Sequence, residues 1–400
     1  MSHHHHHSEV KAEFFAKDKA SSLAIISLVV GIAGLAVSLA WGFLGGGLQQ
    51  LAYSYLFSAV VFFTITVGSL FWVFVHHATD AEWSVLVRRQ LENVAALIPI
   101  LGVLFIGVLA GAGLIYSWWN IDPATDEVLQ AKSAYLNKTA FYTRAVIYLV
   151  ALSILALLVR RNSAAQDGDG NPVYTVRNRV LSFIGIPVLG LSVTFGAFDW
   201  LMSLDFRWFS TMWGVYIFAG GVGAAMGLLV LIVTFLKSRG YLQLVTLEHY
   251  HVMGKFMLAF CVFWAYIGYS QYMLIWYANM PEETIYYMRR TVDSWWYLSL
   301  FLVIGHFFIP FPILLFQATK KNPKFLCIVA AWLLLMHVLD LYIVVMPMLH
   351  QKGFQFSILD LTTLVGIAGV LAAGFFKFLP KTSLFPVRDP RIEESIRLSN

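Results

Sequence analysis

Ten long apolar stretches, parted by short polar segments, run the length of the chain. They cover approximately 21–44, 48–75, 92–117, 138–159, 179–204, 210–236, 248–278, 293–317, 325–347 and 357–379. About 20 residues at 1.5 Å rise cross the roughly 30 Å hydrocarbon layer, and each stretch meets that length. None alternates apolar with polar as a barrel strand does, and all exceed the strand length of such barrels. The pattern therefore predicts an all-α polytopic membrane protein with ten transmembrane helices. Only the connections near 118–137, 160–178 and 278–292 are long, and none is large enough to fold as a soluble domain. No cleavable signal peptide is expected ahead of the first span.

Composition agrees and excludes a soluble fold. Of the 400 residues 59% are hydrophobic and 12% charged, against roughly a quarter charged in soluble domains, and the mean hydropathy is +0.72. A net charge of +5 would suit nucleic acid, but the positives do not cluster on a face. Instead 19 Lys and Arg fall in one set of loops and tails and 6 in the other, with Arg144 and Lys255 inside spans. The positive-inside rule then puts both termini in the cytoplasm. Trp118, Trp119, Trp208, Trp276, Trp295 and Trp296 lie at the opposite span ends, as interfacial anchors do. Most other aromatics read as lipid-facing or packing residues. Cys261 and Cys327 are isolated in apolar stretches, so no disulfide framework, iron–sulfur cluster or covalent haem is expected. His3 to His7 read as a purification tag or a native His-rich tail and are set aside.

A faint internal repeat appears when spans 2–5 are laid over spans 6–9. Leu91-Glu92-Asn93 matches Leu247-Glu248-His249, Arg160-Arg161-Asn162 matches Lys320-Lys321-Asn322, and Ala197-Phe198-Asp199-Trp200 matches Val338-Leu339-Asp340-Leu341. An offset of four spans keeps direction, so the duplication would be parallel.

A charge at the bilayer centre costs about 2.5–3.5 kcal/mol on insertion scales, so each intramembrane ionisable group calls for a reason. Glu248, His251 and Lys255 fall within about 60° on one face of span 7. They form either an interfacial cap with a snorkelling lysine or the cytoplasmic mouth of a proton path. His306 lies about 20 Å into span 8, at nearly the depth of Lys255. His337 and Asp340, three apart, share a face of span 9. Asp199, Asp293 and Asp360 lie towards the outer surface. Arg144 should form a structural ion pair, with Asp199 or Asp205 as its partner. The groups supply no metal-ligand set. A b-type haem between His306 and His337, the one deep histidine pair, is the weaker reading. Quinone sites leave no linear signature, so no quinone ligand is named.

Three stretches resemble a known family. They are Phe263 to Arg290 (FWAYIGYSQYMLIWYANMPEETIYYMRR), Gly196-Ala197-Phe198-Asp199-Trp200-Leu201-Met202-Ser203-Leu204-Asp205 with Trp208-Phe209-Ser210-Thr211, and Gly305-His306-Phe307-Phe308-Ile309-Pro310-Phe311. They resemble the large membrane subunits of alternative complex III, within the NrfD/polysulfide reductase membrane-subunit family, and favour the F subunit over the C subunit. Where that family reads Pro-His-Trp after the aspartate, this chain has Phe206-Arg207-Trp208, so the role of that loop histidine does not carry over.

The resemblance implies two four-helix bundles, 48–209 and 210–356, flanked by a peripheral first span (21–47, after the 1–20 tail) and a peripheral tenth span with its cytoplasmic tail (357–400). It implies a bacterial inner-membrane complex with a homologous C-type membrane subunit, multihaem and monohaem cytochromes c and an iron–sulfur subunit. Such a complex oxidises quinol, menaquinol being the expected one, and reduces a periplasmic acceptor in respiratory or photosynthetic electron transfer. This chain would bind no cofactor of its own. Its expected part is structural, with proton transfer through Glu248, His251, Lys255, His306, His337 and Asp340 towards Asp199, Asp293 and Asp360. The competing readings are a quinone-binding anchor of a molybdopterin-type reductase and a secondary transporter.

Overall fold

The computed structural model describes residues 10–399; His3 to His7 lie outside them. Among these residues ten helices are long and apolar enough to cross a membrane: α1 (Lys17–Leu44), α2 (Leu48–Ala78), α3 (Glu82–Ala110), α4 (Lys138–Asp169), α5 (Val173–Asp205), α6 (Trp213–Ser238), α7 (Leu247–Ala278), α8 (Ser294–Leu315), α9 (Pro323–Met348) and α10 (Ile358–Lys381). No strand occurs among the described residues.

Local chemistry sets the helix ends. The Asn137 side chain accepts from the Ala140 amide to open α4, which stops at Gly170 in left-handed backbone (φ 70°). Thr246 with His249 and Ser357 with Asp360 form capping boxes at the starts of α7 and α10. Asn322 caps α9, where Pro323 fills the first helical position.

The third span departs from the hydropathy pattern. Its helix starts at Glu82, not near residue 92, so Arg88 and Arg89 are helical and buried rather than loop residues, and Glu92 lies buried within the helix rather than at its start. Hydropathy places the boundary where charges end, whereas this helix carries its charges inward because they are paired.

α2 is the central helix. It packs on α3, α5, α6, α9 and α10, and most of its residues are buried. Its crossing with α6 is set by two glycines. A Cβ on Gly68 would lie 2.5 Å from the Gly221 carbonyl oxygen, and one on Gly221 would lie 2.7 Å from that of Thr64. With no hydrophobic drive between helices in lipid, such close backbone contact is what holds a crossing together.

The first and last spans pack chiefly on each other. Gly31 and Gly34 of α1 meet Gly366 and Gly369 of α10, where a Cβ on Gly369 would fall 2.6 Å from the Gly31 Cα. Ser38 donates to the Thr362 hydroxyl at 2.7 Å beside this seam. A Ser38→Cys/Thr362→Cys pair should cross-link under mild oxidation, and adding Gly369→Leu should abolish that cross-link. Retention of the cross-link in the triple variant would show that the glycine contact does not set the approach.

The two ends of the chain meet at the end of the molecule that carries most of the Lys and Arg, the basic end. The Leu384 amide donates to the Glu13 carbonyl at 2.7 Å, and the Glu13 amide to Ser383 Oγ at 3.2 Å. Residues 382–399 do not trail away. They form a strap across the basic end, with Leu384, Phe385 and Ile392 buried and a short helix at Ile392–Ile396.

Candidate functional site

Three of the ionisable residues singled out from the sequence converge in the interior. Asp340 and His337 project from α9 between α2, α6 and α7, and all but a trace of each is buried. His337 Nε2 is 2.8 Å from Thr64 Oγ1 of α2, and its Nδ1 has no hydrogen-bond partner in the protein. Gly220 of α6 makes room for the ring, since a Cβ there would sit 3.0 Å from Nδ1. Asp340 accepts the Tyr216 hydroxyl of α6 on one oxygen and the Trp264 indole N–H of α7, at 2.9 Å, on the other. Trp264 also stacks on the His306 ring with centroids 3.9 Å apart.

The backbone of α8 is deformed at that histidine. Ile304–Phe308 forms a π-turn, with the Ile309 amide bonding back to the Ile304 carbonyl at 2.9 Å. Lipid offers no partner for freed carbonyls. Trp332 Nε1 takes the Gly305 carbonyl at 2.7 Å, and Cys261 Sγ takes that of His306 at 3.1 Å. Such π-turns recur at functional positions.

Towards the far end, the Tyr216 ring stacks on Trp213, and Tyr286 packs edge-on to Trp213. Arg290 lies over Tyr286, its carbon 3.5 Å from the ring centre, and donates to the carbonyls of Ile343 and Val344 at the end of α9 and to Tyr286 itself. Gln271 joins Tyr287 to Ser210. Beyond Tyr216 the contacts towards the far surface are ring contacts through Trp213, and Ser210, Gln271 and Tyr287 form a separate hydrogen-bonded set.

The other predicted residues are placed elsewhere. Glu248 binds Lys321 at 2.5 Å with His251 beside it at 3.6 Å, all partly exposed at the basic end. Lys255 lies on the exposed face of α7. Asp360 is enclosed at the far end, accepting from Gln50 and Ser54 on one oxygen and from Tyr342 and the Ser357 amide on the other. His350 Nε2, 2.7 Å from Gln50 Oε1, extends that network. Asp293 is exposed in left-handed backbone ahead of α8.

Of the two carboxylates expected for Arg144, Asp199 is the partner and Asp205 is not. Arg144 grips Asp199 through two bonds of 2.7 and 2.9 Å, and Tyr148 adds a third at 3.1 Å. Asp205, past the last regular turn of α5, pairs with Arg289. Asp199 is six residues earlier, nearly two helical turns deeper, on the side that faces α4.

Sequence reasoning missed two sets of residues. Tyr216 and Trp264 look like ordinary membrane aromatics, and only their polar tips distinguish them. The second set is a buried cluster at the basic end. Arg88 meets Glu92 at 3.3 Å and Asp389 of the strap at 2.5 Å; Arg89 meets Glu92 at 3.1 Å and Asp167 at 2.9 Å. Arg391 chelates Asp389 and reaches Asp80 at 3.0 Å. Burial alone would raise the Asp389 carboxyl, but Arg88 and Arg391 pull it well below the usual carboxylate range. A depressed carboxyl contributes stability above its unfolded pKa and loses it only as pH falls through the folded value, so strap docking holds across neutral pH.

Among the described residues, no group of three or more His, Cys, Asp and Glu is arranged to hold a metal. His306 is covered by Trp264 and His337 is engaged by Thr64, so their contacts are with protein groups rather than across an open cleft.

Fold and site together define a polytopic all-α membrane protein with ionisable groups bonded to one another in its interior. No family model matches this chain, and comparison with curated proteins returns no match.

Proposed function

We propose that the chain is an F-type membrane subunit of a bacterial quinol:acceptor oxidoreductase of the alternative complex III kind, and that it moves protons across the inner membrane while electrons pass through partner subunits. In this reading the basic end is cytoplasmic with both termini. Residues 48–209 and 210–356 form the two four-helix bundles, with the paired α1 and α10 at their side. The partners are a homologous C-type membrane subunit, multihaem and monohaem cytochromes c and an iron–sulfur protein.

One observation carries the proton-moving part: Asp340, placed where an ionisable group is most expensive, is held by Tyr216 and Trp264, with His337 one helical turn away on Thr64 and His306 stacked on Trp264. Asp340 takes or gives a proton on a carboxylate oxygen that faces Tyr216. The imidazole of His337, one helical turn away, exchanges with it, and the far side, where Gln271 joins Tyr287 to Ser210, is the way outward. Asp199 and Asp360 are locked by their own donors and act as structural anchors near the outer end. Glu248, His251 and Lys255 form a charged rim on the cytoplasmic side.

The test is the ratio of protons moved per electron in the reconstituted complex. Asp340→Asn and His337→Gln should lower it sharply while the detergent-solubilised complex still oxidises quinol. An unchanged ratio in both variants, with assembly verified, defeats the proposal. A chain that purifies without haem-bearing partners and moves a solute would instead mark a secondary transporter.

A further inference from the structure

The interior relay needs a supply of protons from the cytoplasmic side, and the exposed Glu248 rim is not the buried polar path nearest to it in the fold. α2 carries a second candidate. His76 and His77, near its basic end, are almost wholly buried. Both ring nitrogens of His76 and Nδ1 of His77 have no hydrogen-bond partner in the protein. Facing them, Arg88 Nη1 of α3 is equally buried and equally unpartnered. Buried polar groups are nearly always satisfied, and a cluster of orphans at one place calls for bound water.

The charged groups facing the imidazoles are Arg88 of α3 and, from the strap, Asp389 and Arg391. The strap closes over this cluster. Beyond its ion pairs, the Leu384 carbonyl accepts from Gln90 at 2.7 Å, the Val387 amide donates to Asp167 at 3.1 Å, and Ser395 donates to the Trp83 carbonyl at 3.0 Å.

Along α2 the way inward is short. From His76 to Thr64 is twelve residues, about 18 Å. At the Gly68–Gly221 crossing lies a void of about 10 Å³, lined mostly by apolar side chains such as Phe63, Val67 and Ile217 and offering the Thr64 hydroxyl as its side-chain polar group, close to the smallest space that holds one water. Thr64 is the residue bonded to His337.

We propose that His76 and His77 are the point where protons enter from the cytoplasm, in a hydrated chamber gated by the Arg88–Asp389–Arg391 latch of the C-terminal strap. A proton from bulk water binds an imidazole nitrogen, leaves it along water past the α2–α6 crossing, and is taken up at His337, so the entry imidazole returns to neutral. This inference rests on the proton-moving reading above.

Two measurements on the assembled complex separate the failure of one from the failure of the other. In the first, Ser69→Cys, about two turns inward of the imidazoles, is labelled with a small charged thiosulfonate added on the cytoplasmic side. Adding Asp389→Ala should speed labelling about tenfold or more, because a local opening is made easier. Equal rates with and without the latch, or faster labelling from the opposite side, overturn the gate. In the second, His76→Gln and His77→Gln should each lower protons per electron. If they leave the ratio unchanged while Asp340→Asn lowers it, the entrance is elsewhere and the functional reading stands. If Asp340→Asn has no effect either, the functional reading itself fails. Should the histidine variants not assemble, the labelling ratio decides the inference alone.

Discussion

Gly221→Leu should leave almost no correctly folded protein in the membrane. The new Cβ alone would meet the Thr64 carbonyl oxygen at 2.7 Å and the Thr64 Cβ at 2.8 Å. The obstruction is backbone, which cannot swing aside as a side chain can. On the opposing helix Gly68 faces the same problem, 2.5 Å from the Gly221 carbonyl oxygen. Overpacking a core commonly costs about 1–3 kcal/mol, and forcing apart the most buried helix pair of the bundle belongs at or above that range. The separation would also draw Thr64 from His337. Fluorescence-detected size exclusion of the solubilised protein should show loss of the monodisperse peak for Gly221→Leu and a smaller loss for Gly221→Ala. A Gly221→Leu protein with wild-type elution and thermal stability would show that the crossing is slack.

The second large effect concerns Arg144. Asp199→Ala would strand a guanidinium now held by two hydrogen bonds of 2.7 and 2.9 Å to a fully buried carboxylate. Breaking a buried pair by removing one partner costs about 3–5 kcal/mol; the Arg144 side chain is 19% exposed, which favours the lower part of that range. Replacing both residues with apolar ones is a different matter, because the desolvation penalty goes with them. Asp199→Leu/Arg144→Leu should therefore recover most of the stability lost in Asp199→Ala. Thermal unfolding in detergent for the two single variants and the double variant closes the cycle. A double variant as unstable as the sum of the singles would mean that the pair does not act as a unit.

Hydropathy made all ten spans legible because the cost of exposing an unbonded backbone to lipid leaves long apolar helices as the only spanning element. The cost of a charge in hydrocarbon made His306, His337 and Asp340 legible. Their partners were not. A Tyr that bonds a buried carboxylate and a Tyr that faces lipid have the same sequence neighbourhood, and this chain has 18 tyrosines and 13 tryptophans. Arg88 and Arg89 were read as loop positives because helix ends on the cytoplasmic side are usually basic. Their burial depends on Asp389, about 300 positions away, inside a segment whose low hydropathy hides that it folds. Arg144 had two carboxylates within reach, and only the turn geometry of α5 separates Asp199 from Asp205.

The segments matched in the sequence differ in their contacts. Glu92 binds Ser163, one position past Arg160-Arg161-Asn162, whereas Glu248 binds Lys321 within Lys320-Lys321-Asn322. Asp199 and Asp340, the aspartates of the third match, have different partners. The first is neutralised by an arginine; the second is bonded to a phenol and an indole.

The seam between α1 and α10 has a consequence for biogenesis. The first of the ten spans finds its main partner in the tenth, with more than 300 residues of synthesis between Leu44 and Ile358. At about 5–20 residues per second, α1 waits in the bilayer on the order of tens of seconds with its glycine face unpaired. During that interval an insertase or chaperone has a surface to hold, and a ribosome stalled before α10 would release a product whose first helix is free to pair with another chain.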